Sequence, residues 1–120
     1  MKRIQTDISY IQQLIAKGEH IHQDFKYEIS DARKIAKSLS AFANTEGGRL
    51  LVGVKDNGKI AGVRSEEEIY MIEAAATMYC KPPIDVEMFT HRIEGRTVLE
   101  AVIKEIKDKP IFALDEGNKP

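Results

Sequence analysis

Residues 40–63 read Ser-Ala-Phe-Ala-Asn-Thr-Glu-Gly-Gly-Arg-Leu-Leu-Val-Gly-Val-Lys-Asp-Asn-Gly-Lys-Ile-Ala-Gly-Val. This stretch constrains the fold more than any other. An apolar helix end runs into Gly47-Gly48, which lets the backbone turn with positive φ. The strand 49–54 follows, and Asp56-Asn57-Gly58 is a hairpin turn signal leading to a second strand at 59–63. Helix, tight turn and two strands within 24 residues exclude an all-α bundle and require a sheet beside a helix.

The rest of the chain extends that frame. Ile8, Ile11, Leu14 and Ile15 recur at helical spacing, and Gly18 stops a helix over 6–17. Residues 19–27 alternate, with Ile21, Gln23, Phe25 and Tyr27 on one face and His20, His22, Asp24 and Lys26 on the other, which predicts a strand. Ser30 is placed to cap a helix over 30–44. Its apolar stripe is Ala32, Ile35, Ala36, Leu39, Phe42 and Ala43, with Arg33, Lys37 and Asn44 opposite. Ser65 followed by Glu66, Glu67 and Glu68 opens a third helix to about Tyr79, with Met71, Ile72, Ala75 and Met78 as core positions. Pro82-Pro83 ends it. Strands at 84–93 and 97–106 turn at Glu94-Gly95, and a short strand begins at 110–114. The order α-β-α-β-β-α-β-β-β predicts one α+β domain with a mixed sheet and two or three packing helices.

At 120 residues the chain makes one domain with a modest core. No apolar run approaches the ~20 residues of a membrane span. The first residues lack a secretory h-region, and the lone Cys80 cannot build a disulfide framework or a Cys-rich zinc site. A cytoplasmic protein without membrane contact is expected. Net charge is −1, but residues 1–64 carry 11 Lys and Arg against 7 Asp and Glu, while residues 65–120 carry 7 against 12. An anionic ligand belongs with the first half.

Three groups could carry chemistry. The polar face of the first strand offers Glu19, His20, His22, Asp24 and Lys26; the plain alternative is an Asp24–Lys26 ion pair on a solvated face. Lys26, Arg33, Lys34, Lys37, Arg49 and Lys55 form a scattered basic set of the kind that grips phosphates, or else a solvated face paired to local carboxylates. Gly47-Gly48 follows a helix C-terminus, where the dipole repels anions, so it reads as a cap and turn. No Gly-x-x-x-x-Gly-Lys-Ser/Thr occurs, which excludes a Walker-type site. No aromatic platform for stacking bases is apparent, so binding would rest mainly on phosphate contacts.

The 40–63 stretch resembles the signature of the Schlafen AlbA-type domain family, DNA-binding modules of bacterial regulators and helicase-related proteins. The resemblance runs from about residue 18 to residue 110 and is most specific over 41–62. It implies a Schlafen/AlbA-like fold and a nucleic-acid-binding module, DNA favoured over RNA, with Lys26, Arg33, Lys37, Arg49 and Lys55 as its basic face. It also implies a second reading. Schlafen-type ribonucleases gather three carboxylates for divalent-metal-dependent cleavage, and the matching positions here are Glu19, Asp24 and Asp56. Those three would then be both catalytic residues and ligands of Mg²⁺ or Mn²⁺. Asp24 stands where the family carries Glu, and the Cys/His zinc site of eukaryotic Schlafen cores is missing. A third reading is a dimerisation or nucleotide-binding module of a larger protein, homodimer included. Family members continue with an arginine and glycine segment beyond the last strand, so a chain shortened at its C-terminal end is expected.

Overall fold

The structure, a computed structural model, describes residues 2–5 (backbone only), 8–63, 66–107 and 109–114. The elements are β1 (Lys2–Gln5), α1 (Ile8–Ala16), β2 (Gln23–Lys26), α2 (Ala32–Asn44), β3 (Gly48–Val52), α3 (Glu67–Met78), β4 (Cys80–Lys81), β5 (Val86–Ile93), β6 (Arg96–Ile103) and β7 (Phe112–Ala113). Five strands form one mixed sheet in the order β1-β5-β6-β3-β2, and β4 pairs with β7 in a small second sheet. β2 and β3 run parallel, as do β1 and β5, whereas β6 is antiparallel to both β3 and β5. The fold is α+β, as the element order predicts.

Strand alternation divides the core. Leu50, Val52, Met88 and Leu99 face α2 and α3, meeting Ile35, Leu39, Phe42, Ile72 and Ala75. Phe25, Leu51, Ile93 and Val98 face the other way, onto Ile11 and Leu14 of α1. The cap of α2 lies one residue after the expected one: Asp31, not Ser30, accepts from the Arg33 N–H at 2.9 Å. At its far end Gly47 takes φ +85, and a Cβ there would stand 2.7 Å from the Ile103 carbonyl oxygen. A Cβ on Gly48 would overlap the Phe42 ring. The two glycines close the helix and let β3 approach it.

The expected strand over 19–27 is shorter. His20 and Gln23 exchange backbone hydrogen bonds of 2.9 and 3.0 Å across a two-residue turn, leaving Ile21 at its tip, 71% exposed. The buried Gln23 side chain explains the loop. Its Nε2 donates to the Leu14 and Gly18 carbonyls at 2.7 and 2.8 Å, tying the end of α1 and the residues after it to the start of β2.

The hairpin expected at 49–63 stops almost at its turn. Val54 and Ile60 form an isolated bridge, and Lys55 N–H bonds the Lys59 carbonyl at 2.9 Å. β3 already has β2 on one edge and β6 on the other, so no edge remains for a returning strand. Residues 61 and 62 instead donate to the Gly53 carbonyl, and Val63 to that of Thr97.

In α3 the buried residues are Glu68, Ile69, Ile72, Ala75 and Ala76, while Met78 is 63% exposed, contrary to its expected core place. Glu68 turns inward because its carboxylate accepts from the Ile29 N–H at 3.2 Å. The expected Ser65 cap and the Thr6 helix start lie outside the described residues. β1 is an element the sequence reading did not anticipate. No helix among the described residues is long and apolar enough to cross a membrane.

Candidate nucleic-acid interface

β2 is an edge strand, and α2 crosses beside it on the way to β3. Between them lies an open depression of about 440 Å³ lined by Glu19, His20, Gln23, Asp24, Ser38, Ala41 and Phe42. Lys34 and Lys37 precede Ser38 and Ala41 by four residues, one helical turn along the same face. Both are exposed. Lys26 lies at the end of β2, its Nζ 3.2 Å from Asp24 Oδ2. Beyond it, Lys55 Nζ sits 5.7 Å from the centre of the Tyr27 ring. Lys26 thus pairs with one residue of the lining, Asp24, and Lys37 lies one helical turn from another, Ala41, while Lys55 sits over Tyr27.

The other two members of the basic set point elsewhere. The Arg33 guanidinium lies 4.7 Å from the centre of the Tyr79 ring, between α2 and α3. Arg49 shares the α1 face of the sheet with Leu51 and stands 3.3 Å from Glu100. The sheet separates it from the α2 lysines.

Glu19 and Asp24 meet. Their hydrogen bond holds the Glu19 carboxyl above its ordinary range, helped by burial and by the charges of Asp24 and Asp56. The Phe25 N–H, which donates to Glu19 Oε2 at 3.3 Å, pulls the other way. A second carboxyl so close favours the protonated form of Glu19, and a cation beside it would relieve the same repulsion. Asp56 acts on Glu19 through its field from the exposed turn. Among the described residues no three carboxylate, imidazole or thiol groups gather closely enough to hold a metal ion. His22 Nδ1 lies 3.1 Å from the Gly47 carbonyl oxygen, which can only accept, so that nitrogen carries the hydrogen. Its Nε2 is 3.6 Å from Glu46.

A second polar cluster, on the α1 face, escaped the sequence reading. Tyr10 OH donates to Glu100 Oε2 at 2.6 Å, and His91 Nε2 is 2.8 Å from Oε1. Arg49 Nε stands 3.3 Å from Oε2, too poorly aligned for a hydrogen bond. Glu100 and His91 are each 1% exposed. Burial raises the Glu100 carboxyl, but hydrogen bonds from His91 and Tyr10 and the charges of His91 and Arg49 outweigh it and hold the group below its usual range. Burial and the bond to Glu100 push the Tyr10 phenol up to about 12. Glu100 is thus a fully engaged carboxylate joining α1 to the sheet, not a free base. The one available signal was a lone carboxylate inside the apolar run Val98-Leu99-Glu100-Ala101-Val102-Ile103.

Solved structures share this architecture. The N-terminal domain of a RecG-related protein from Nitrosomonas europaea, named for an ATP-dependent DNA helicase, is 22% identical with a TM-score of 0.70, covering 94% of this chain and 83% of that one. The DIP2311 protein from Corynebacterium diphtheriae is 23% identical with a TM-score of 0.62 over 93% of this chain. This chain spans only 24% of that protein's length. No curated protein matches the chain. The Schlafen, AlbA_2 family model matches residues 19–119, from the carboxylate at the head of β2 through the last strand, and the chain belongs to that family.

Proposed function

We propose that the domain is a nucleic-acid-binding module that holds phosphates along the groove between β2 and α2, with DNA as the favoured ligand. The observation that carries this reading is the open depression between β2 and α2, with Lys26 paired to Asp24 of its lining and Lys37 one helical turn from Ala41. Lysines act on phosphate as flexible point charges, so a row of them tracks a backbone without reading sequence. Family membership and a neighbour named for a DNA helicase support the ligand class. Arg33 and Arg49 contribute less, since one is stacked on Tyr79 and the other serves Glu100.

The test is fluorescence anisotropy with labelled DNA and RNA oligonucleotides at several salt concentrations. Lys26→Glu with Lys37→Glu should weaken binding at least ~10-fold and flatten the salt dependence by roughly 0.7–0.9 per lost phosphate contact. Salt-independent binding, or a double variant that binds like wild type, would remove the groove from the account.

A divalent-metal-dependent nuclease built on Glu19, Asp24 and Asp56 is the second reading. It is supported by the adjacent Glu19 and Asp24 carboxyls and by the field of Asp56 on Glu19. The donor atoms suit Mg²⁺ or Mn²⁺ in kind, but the three groups do not assemble a ligand set. A melting curve with and without millimolar Mn²⁺, together with a cleavage gel, decides it: neither a shift nor cleavage rejects the nuclease.

A further inference from the structure

We propose that the outward face of α3 is a self-association surface, on which two copies of this chain pack antiparallel about a twofold axis at Ala74. The inference stands independently of the phosphate-binding reading.

A helix on the outside of a sheet ordinarily turns polar side chains to solvent. α3 does not. From Ile69 to Met78 only Glu73 and Thr77 are hydrophilic. Ile69, Ile72, Ala75 and Ala76 are buried and supply the inward face. Tyr70, Ala74 and Met78 then follow one another at four-residue spacing on the outside, one stripe along the helix. Tyr70 and Met78 are each 63% exposed. Beside Tyr70 an open hollow of about 340 Å³ lies between α3 and the start of α2, with Ala32, Met71 and Tyr79 in its walls. Three residues past Met78, Lys81 is exposed and pairs in register with Phe112, itself 45% exposed. So much apolar surface on one side of a small domain marks an interface.

The stripe is symmetric about its middle. Tyr70 and Met78 each stand one turn from Ala74, about 6 Å along the axis. A second α3 laid antiparallel across it, with the small Ala74 side chains at the crossing, brings Tyr70 of each copy opposite Met78 of the other. A thioether against an aromatic ring is a favourable contact, and the flexible Met78 side chain can follow the contour of the hollow beside Tyr70. A twofold pair uses the same patch twice, so that patch must complement itself. A different partner would place no such demand on the stripe. Charge agrees with the arrangement. Antiparallel helices oppose their dipoles, and Lys81 past the end of one α3 comes toward the acidic first turn of the other. None of the residues lining the β2–α2 depression belongs to α3, so association draws on a separate part of the surface.

Sedimentation velocity over a dilution series should show wild type passing from monomer to a species of twice the mass, with a Tm that rises with concentration. Tyr70→Glu should keep its circular dichroism, because the position is exposed, and weaken association at least ~10-fold. Met78→Lys should do the same. The two changes in one chain should associate more tightly than either alone, since opposite charges then face each other at both ends of the stripe. Ala74→Cys should cross-link into a disulfide dimer under mild oxidant, whereas the buried Cys80 leaves wild type uncross-linked. The proposal fails if wild type is monomeric at every concentration, if Tyr70→Glu associates like wild type, or if the double variant is no tighter than the single ones. A dimer that Ala74→Cys does not cross-link pairs through another face and overturns it too.

Discussion

Asn44 holds Ile111 by both of its backbone groups. Its Nδ2 donates to the Ile111 carbonyl at 2.8 Å, and its Oδ1 accepts from the Ile111 N–H at 2.7 Å. The carboxamide imitates a strand neighbour and ties the segment leading into β7 to the last residue of α2. Asn44→Ala should cost about 1–3 kcal/mol, because Ile111 is buried and its amide loses its partner. A lower Tm, with faster hydrogen exchange at Ile111, is the expected result. An unchanged Tm would mean that the segment is held by side-chain packing alone.

Gly48 and Phe42 are a packing pair. Gly48→Ala should destabilise by ~1–3 kcal/mol, since the added methyl meets a buried ring with little room to move. Phe42→Leu in the same chain should recover part of the loss, and the two single changes should fail to add. Phe42→Ala alone should cost ~3–5 kcal/mol. Denaturant melts of the four variants test the pair, and strict additivity contradicts it.

Glu100 anchors the buried polar cluster. Glu100→Ala strands the His91, Tyr10 and Arg49 groups, and about 3–5 kcal/mol should be lost. Acid behaviour gives a second check. The folded carboxyl titrates below its ordinary 4.5, so its stabilising contribution is complete above about that pH and is lost as pH falls through the lowered value. Glu100→Gln should lack this share of the acid transition.

Glu19 has the opposite sign. Its folded carboxyl titrates above 4.5 because Asp24 and Asp56 favour the protonated form. The folded state then holds more protons than the unfolded one between those values, and stability falls as pH rises through the window. Glu19→Gln keeps an oxygen for the Phe25 N–H and removes the titration. Its Tm should change less than that of wild type between about pH 4.5 and 7. Parallel curves would disprove the raised titration of Glu19.

α2 and the β5–β6 hairpin were legible in the sequence because local rules sufficed: a wide apolar stripe for one, Glu94-Gly95 with positive φ at both residues for the other. The 59–63 strand was not, because its fate depends on β2 and β6 occupying both edges of β3, and no local signal reports a filled edge. The same limit applied to the basic set. Arg49 and Leu51 alternate with Leu50 and Val52, which shows that they share a face, but only the placement of α1 shows that this face is turned away from Lys37. Glu100 and His91 were overlooked because a buried charge makes sense only with partners from α1, β3 and β5 in view.

The outer margin of β2 is already spent. The turn at His20 engages both backbone groups of Gln23, and the Glu19 carboxylate occupies the Phe25 N–H. A stray extended segment finds few free amide groups there to copy, so this side of the sheet resists runaway β-aggregation. A polypeptide that carries the domain beside other modules gains from that, since a nascent strand from a neighbour has no template here on which to misfold.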